Sequence, residues 1–414
     1  MSRYEDAKQI YQLYGVDVEH ALDTLKKIPI SIHCWQGDDV KGFESDDQVL
    51  TGGIQATGNY PGRARNFQEL SQDLEQAFSF IPGSKRLNLH AIYAVSDQEI
   101  DRNEIEPKHF DPWLAFAKKN NIKLDYNPTF FSSPMVKHNL TLSSPDEEVR
   151  TYWIKHGIES RKIAAYIGKI QQSPCLFNVW IPDGMKDTPA DRMGPRLRLK
   201  DSLDQIFEHP YDDDVIIDAV ESKVFGIGLE SYTVGSQEFY MNYAQQKGVC
   251  CLIDNGHYHP TENVADKLSS MLIFNKYVAL HVTRPVRWDS DHVVLFDDVT
   301  KDIAREIIQS KQPERFLIGL DYFDASINRI AAWVLGTRNF QKALLQALLL
   351  PHVQMEKLQN SGEFTALLVL NEEIKTLPFH AVWEEYCIRE NVSADMSWFN
   401  EVKTYERDTL FKRK

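Results

Sequence analysis

Apolar residues along the chain alternate between short continuous runs and longer stretches in which they recur every three to four positions. Residues 4–27 have the helical spacing, and Ile28-Pro29 ends it. The run PISIHCW at 29–35 reads as a first strand. A Gly- and Asp-rich segment, 37–62, follows, and a loop that long inside a compact domain is expected to cover a functional site rather than simply connect two elements. After a helix at 67–80, strand-like runs recur at 86–93, 123–130, 176–182, 215–223, 249–257, 278–285 and 315–323. With the run around His33 they make eight. Helical patterns lie between them, for example at 111–120, 147–170, 235–246, 262–274 and 301–310.

Apolar strands alternating with amphipathic helices predict an α/β protein with a parallel sheet. Eight such units over roughly 300 residues suit a closed (β/α)8 TIM barrel. An open doubly wound sheet would need a glycine-rich nucleotide fingerprint at its first turn, and none follows the first strands. Past the eighth strand the pattern stays helical, at 326–337, 340–350, 355–359, 364–376 and 381–389. One helix closes a barrel. The remainder divides the chain into a barrel with its N-terminal helical segment, 1–325, and a C-terminal helical extension, 326–414, expected to pack on the barrel and on neighbouring subunits.

Composition narrows the function classes. The 414 residues are 43% hydrophobic and 26% charged, as expected of a soluble globular chain. Lys and Arg total 46 against 60 Asp and Glu, a net charge of −14, which argues against a phosphate-tracking nucleic-acid surface. No apolar stretch is long enough for a membrane span, and the charged start MSRYEDAKQIYQLYG is unlike a signal peptide. The five cysteines, Cys34, Cys175, Cys250, Cys251 and Cys387, lack zinc-knuckle spacing, and four lie in or beside apolar runs. Buried free thiols in a reducing cytoplasm are the expectation.

The candidate chemistry centres on CCLIDNGHYHPTE, 250–262, where an apolar run ends in Asp254-Asn255-Gly256-His257, followed by His259 and Glu262. A carboxylate and an imidazole three apart across a glycine turn can converge on one divalent ion, although most Asp-Asn-Gly segments are ordinary turns. The other predicted strand ends strengthen the case. They carry His33 and Trp35, His90, Asn127, Asn178 with Trp180, Glu221 with Lys223, His281 with Arg284, and Asp321, and the loop after the seventh strand adds Asp289 and Asp291. In a barrel these ends share one mouth. His33, His90 and His281 can each be satisfied core histidines, and Asp289 and Asp291 can simply cap a turn. Acids and imidazoles gathered on four successive strand ends, however, repel or strand one another unless cations neutralise them.

Glu221, Asp254, His281 and Asp321 supply one closed set of ligands. His257, Asp289 and Asp291, with Asp254 as a bridge, supply a second, more open set. Such O/N sites favour Mn2+, Mg2+, Co2+ or Zn2+ over copper or an iron–sulfur cluster. Lys223, two residues after Glu221, shares its strand face and would add a fixed cation, unless it is a strand-end lysine pointing to solvent.

These residues resemble the xylose-isomerase-like barrels, and the resemblance sharpens to the bacterial L-rhamnose isomerase family. SIHCWQGDDV, TGGIQATGNYPG, LNLHAIY, IPDGMKD, VESKVFGIG, ESYTVGSQEFY, GHYHPTE, HVTRPVRWDSDHVVL and GLDYFDASINRIAAWVLGTRN carry it, from about Tyr4 to the C-terminus. The resemblance implies a cytoplasmic homotetramer that interconverts L-rhamnose and L-rhamnulose, the first step of L-rhamnose catabolism. It implies Mn2+ at a catalytic site held by His257, Asp289 and Asp291, and a second divalent ion, Mn2+ or Zn2+, at a structural site held by Glu221, Asp254, His281 and Asp321. By the same analogy Lys223 holds O1, His90 assists ring opening, and Trp35, Trp180 and Phe130 wall the sugar.

Aldose–ketose isomerisation needs either a free base to lift the C2 proton or metals that polarise O1 and O2 for a 1,2-hydride shift. With every placed carboxylate claimed as a ligand, the hydride route is the expectation. Three rivals fare worse. A metal-dependent aldolase would carry phosphate-gripping glycine loops after the last two strands, and VTRPVRWDSD and GLDYFDAS are not such loops. A barrel endonuclease would need a basic groove. A non-catalytic binding protein has no use for two ion sites at one mouth.

Overall fold

The computed structural model describes residues 2–44, 54–223 and 231–413. The middle of the 37–62 segment, and with it the expected covering role, lies outside the described residues. The strands are β1 (Ile30–His33), β2 (Lys85–His90), β3 (Lys123–Asn127), β4 (Cys175–Val179), β5 (Gly184–Met185), β6 (Ile216–Glu221), β7 (Tyr232–Thr233), β8 (Cys250–Asp254), β9 (Val278–Val282) and β10 (Phe316–Leu320). Eight of them close a parallel barrel in the order β1-β2-β3-β4-β6-β8-β9-β10, sealed where Ile30 pairs with both Lys85 and Ile318. β5 and β7 form a separate antiparallel pair. The (β/α)8 expectation is therefore met.

The helices are α1 (Arg3–Leu13), α2 (Val18–Lys27), α3 (Phe67–Phe78), α4 (Asp111–Lys119), α5 (Glu147–Gln171), α6 (Met193–Ile206) and α7 (Gln237–Lys247). They continue with α8 (Ala265–Phe274), α9 (Asp298–Gln309), α10 (Arg329–Leu348), α11 (His352–Asn360), α12 (Phe364–Glu373), α13 (Phe379–Arg389) and α14 (Ser397–Asp408). Polar caps start several of them: Asp17 accepts from His20 N, Ser236 from Phe239 N and Asp297 from Thr300 N. α10 packs against α9, α2 and α3 and so completes the ring of helices around the barrel. No described helix is long and apolar enough to cross a membrane.

The period-two rule places the chemistry. Leu176, Ile217, Ala219, Cys250, Leu252 and Ala279 form an apolar cluster of their own, while their strand neighbours Phe177, Ile216, Val220, Cys251, Ile253 and Leu280 join the larger core under the helices. Side chains alternate along a strand, so the residues that continue the smaller cluster towards the carboxyl ends are Asn178, Glu221, Asp254 and His281. Four polar side chains thus cap the apolar side of the barrel interior, the side built by β4, β6, β8 and β9, because of register alone.

The structure revises several boundaries. The helical region 4–27 is two helices, broken at Gly15, whose φ of +75° is open to glycine but strained for other residues. The two helices expected at 326–337 and 340–350 are one, α10. Its polar residues in mid-helix do not break it because they find tertiary partners: Asn339 donates to Val294 O and Arg338 to Ala394 O. α6 and α14 were not among the expected helices. Gly194-Pro195 reads as a breaker, yet Pro195 sits in the first turn of α6, where a missing N–H costs nothing. Each barrel strand stops two or three residues before its expected end, so Lys223, His257 and Asp321 stand on the loops just above the sheet. All five cysteines are buried and free.

Candidate metal centre

Two groups of ligand atoms converge at the carboxyl end of the barrel. Glu221, Asp254, His281 and Asp321 each bring one atom within 4.8 Å of the others, and so do Asp254, His257 and Asp289. Asp254 belongs to both. The first group reproduces the expected closed set. The second matches the expected open set except that Asp291 stands outside it: Asp291 lines the same cavity, with a left-handed φ of 44°, but does not complete the cluster. His259 and Glu262, on the same stretch as Asp254, are exposed and engage Thr261 and Lys267 instead.

The loops are held in place by side chains hydrogen-bonded to their backbone. Asn255 pairs with the chain at Thr283 twice, donating Nδ2 to its carbonyl at 3.0 Å and accepting from its N–H at 2.7 Å, which ties the end of β8 to the end of β9. Gly256 donates its N–H to Asp254 Oδ1 at 2.6 Å. The 284–292 loop is closed by a bridge between Arg284 and His292, with Ser290 Oγ accepting from Val286 N.

These ligand atoms fit a cation better than they fit one another. Glu221 Oε1, Asp254 Oδ2, His257 Nδ1, both nitrogens of His281 and Asp289 Oδ1 are buried without a hydrogen-bond partner. Buried polar atoms in that number need partners that the protein's own groups do not supply, and a cation suits carboxylate oxygens and imidazole nitrogens together. The electrostatics agree. Burial pushes the Asp254 carboxyl well above its usual range, and Glu221, Asp289 and Asp321 push it further while His257 pulls it down. Burial likewise raises Asp291, reinforced by Asp289. Burial alone would lower His257 and His281, but Asp254 and Asp289 overcome it at His257, and Glu221 and Asp321 at His281, so both imidazoles are raised. The site draws in positive charge. The donor set of carboxylate oxygens and imidazole nitrogens is that of a divalent first-row ion or Mg2+.

The cavity above the clusters is lined by Trp35, His90, Trp180, Lys223, Asp291 and Phe131, among others. Trp35 Nε1 donates to Asp321 Oδ1 at 2.9 Å. His90 bonds Thr129 Oγ1 through Nδ1 and meets Trp35 edge-on; burial lowers it to about 3, so its ring is neutral. Lys223 does not point to solvent: it is 4% exposed, donates to Pro182 O and lines the cavity.

One expected wall residue is corrected. Phe130 is fully buried against Trp153 and His156, outside the cavity, and its neighbour Phe131 takes the wall position. The chain has left β3 at Asn127, so strand alternation no longer predicts which of the two rings faces in. His33 is buried against Tyr322 and is a core histidine rather than a cavity residue. Val40, Ile54 and Phe323 also line the cavity and were not singled out. The available signal for Val40 was an apolar residue inside a Gly- and Asp-rich loop.

A family model described as L-rhamnose isomerase (RhaA) matches residues 1–413. An L-rhamnose isomerase of Listeria monocytogenes serotype 4b (strain F2365) is 54% identical over 411 residues, covering 99% of this chain and 98% of the relative. One of Yersinia pseudotuberculosis serotype O:1b (strain IP 31758) is 56% identical over 407 residues, covering 98% and 97%. Among solved structures, an L-ribulose 3-epimerase superposes with a TM-score of 0.50 at 10% identity, covering 77% of this chain and 95% of that one, a likeness of fold alone.

Proposed function

The chain belongs to the L-rhamnose isomerase family and is an aldose–ketose isomerase, and we propose that it interconverts L-rhamnose and L-rhamnulose by a metal-assisted 1,2-hydride shift at the mouth of its barrel. The observation that carries this reading is the pair of ligand clusters sharing Asp254 beside a buried lysine and an aromatic wall. Glu221, Asp254, His281 and Asp321 would hold a structural divalent ion, Mn2+ or Zn2+. His257 and Asp289, with Asp254 shared and Asp291 alongside, would hold the catalytic Mn2+. Bound there, a pair of divalent cations would polarise O1 and O2 of the open-chain sugar and stabilise the charge that develops on them.

The protein's own groups do the rest. Lys223, buried at the cavity wall, places a fixed ammonium for O1. Neutral His90 is suited to exchange a proton with the sugar during ring opening, its Nδ1 held by Thr129. Trp35, Trp180 and Phe131 exclude water from the sugar faces. The route turns on the carboxylates. Glu221, Asp289, Asp291 and Asp321 line the cavity, and only Asp291 stands outside both clusters. With Asp291 engaged as a ligand, no free carboxylate among the described residues is left to lift the C2 proton.

The proposal includes a homotetramer in the cytoplasm, with residues 326–414 contributing to subunit packing. The exposed apolar side chains Val353, Phe364, Leu368 and Val369 support an assembly of copies. The decisive experiment follows L-rhamnose deuterated at C2 with Mn2+-loaded protein. Deuterium retained at C1 of L-rhamnulose supports the hydride shift; exchange with solvent would assign proton abstraction, with Asp291 as its base; no ketose would refute the reading.

A further inference from the structure

Asn178, at the end of β4, is 2% exposed, and its Nδ2 donates to Glu221 Oε2 at 2.5 Å. An ionised carboxylate only accepts, so this contact fixes which end of the amide is nitrogen. Its Oδ1 is thereby turned from Glu221, and there it has no partner. On the neighbouring strand β3, Asn127 repeats the arrangement. Its Nδ2 donates to Asn88 Oδ1 at 2.9 Å and to Leu89 O, and its Oδ1 is also buried and unpartnered. Both side chains line the cavity above the clusters.

Two sealed acceptors without donors call for a ligand that brings two donors, and a sugar presents a row of hydroxyls. Tyr126 pairs with Phe177, so Asn127 and Asn178 face each other across one strand spacing of about 4.8 Å. Hydroxyls on alternate carbons of a sugar have a comparable separation.

We propose that Asn127 and Asn178 form a two-acceptor floor that takes protons from two hydroxyls of the substrate, and that Asn178 also positions Glu221 so that Oε1 faces the clusters. Resting on the isomerase reading of the cavity, the proposal gives that cavity its stereochemical readers. Asn178 Nδ2 holds Oε2, which leaves Oε1 3.4 Å from Nδ1 of both His257 and His281.

The test compares Asn127→Ala, Asn178→Ala and the similarly sized, uncharged Asn178→Leu with the parent enzyme. It uses L-rhamnose and its 3-deoxy and 5-deoxy analogues, which lack one or the other of the hydroxyls on alternate carbons that O1 and O2 leave free, with Mn2+ affinity measured by calorimetry on chelator-stripped protein. Asn127→Ala is expected to lower kcat/KM on L-rhamnose about 10- to 100-fold, to leave Mn2+ affinity unchanged, and to cost little on the analogue lacking the hydroxyl it holds. Asn178→Ala is expected to lower kcat/KM and, in addition, Mn2+ affinity about 10- to 100-fold. Asn178→Leu, which keeps the bulk, adds no charge and loses the donor, should weaken Mn2+ in the same direction and covers the case in which the alanine variant fails to fold. Equal losses on all three sugars would reduce the asparagines to a structural role and overturn the floor; unchanged Mn2+ affinity in both Asn178 variants would overturn the positioning role. If the parent enzyme itself makes no ketose, the isomerase reading fails with the floor, while the Mn2+ comparison still decides whether Asn178 positions Glu221.

Discussion

Glu221 Oε1 lies 3.4 Å from His257 Nδ1 and equally 3.4 Å from His281 Nδ1, and it makes a hydrogen bond with neither. Ligands about 2.1 Å from a common ion stand about 3.0 to 3.4 Å apart. One carboxylate oxygen set between two imidazoles and hydrogen-bonded to neither is the arrangement expected of groups bridged by a shared cation. The consequences are measurable.

Asp254 links both clusters, and without cations its negative charge is unwelcome among Glu221, Asp289 and Asp321. Asp254→Asn should therefore stabilise the metal-stripped protein, while removing the stabilisation that Mn2+ confers on the parent. Urea unfolding with and without Mn2+ reads both effects.

Asp289 and Asp291 separate by geometry. His257 Nε2 is 3.1 Å from Asp289 Oδ2, and Asp291 is outside that cluster. His257→Ala and Asp289→Ala should abolish isomerisation and Mn2+ binding at the second cluster with the far-UV spectrum unchanged. Asp291→Ala should abolish isomerisation but weaken Mn2+ less than Asp289→Ala does. Steady-state kinetics beside metal titration distinguishes the three.

Gly256 has no room for a side chain. A Cβ there would stand 2.8 Å from Asp289 Oδ1, 2.9 Å from Thr283 Cγ2 and 3.1 Å from Asp254 Oδ1. Gly256→Ala should cost about 1 to 3 kcal/mol through overpacking and should lower kcat more than stability suggests, because two of the side chains displaced are Asp289 of the second cluster and Asp254, which both clusters share. Parallel measurement of kcat and chemical unfolding checks it.

A pH effect is expected at the base of the 37–62 segment. Burial pushes the Asp38 carboxyl up to about 7, against the Tyr93 hydroxyl at 2.7 Å and the Gly42 N–H at 2.6 Å, which pull it down. Unfolded, the same group titrates at about 3.9. Between these values the folded chain holds a proton that the unfolded chain has released, so stability falls as pH rises. Relative to Asp38→Asn, the parent protein should lose stability from about pH 4 to about pH 7 and show no further loss from this group above that, by urea unfolding across the range.

Much of this was legible in the sequence because strands and metal ligands both leave periodic marks. The eight runs gave the barrel, and the parity of Glu221 with Ile217 and Ala219, of Asp254 with Cys250 and Leu252, and of His281 with Ala279 put them on one inner face. What escaped depended on structure that has no period. The choice between Phe130 and Phe131 is made by a loop after β3, and the place of Asp291 outside both clusters is set in the 284–292 loop, which has no strand period. The continuity of α10 through Arg338 and Asn339 is decided by tertiary partners at Ala394 and Val294.

The central claim, that scattered acids and imidazoles hold two divalent cations on which sugar isomerisation depends, is tested most directly by titrating chelator-stripped protein with Mn2+ while following ketose formation from L-rhamnose. Two ions per chain should bind, and activity should appear only as the second cluster fills. Full activity on protein that retains no divalent metal would contradict it.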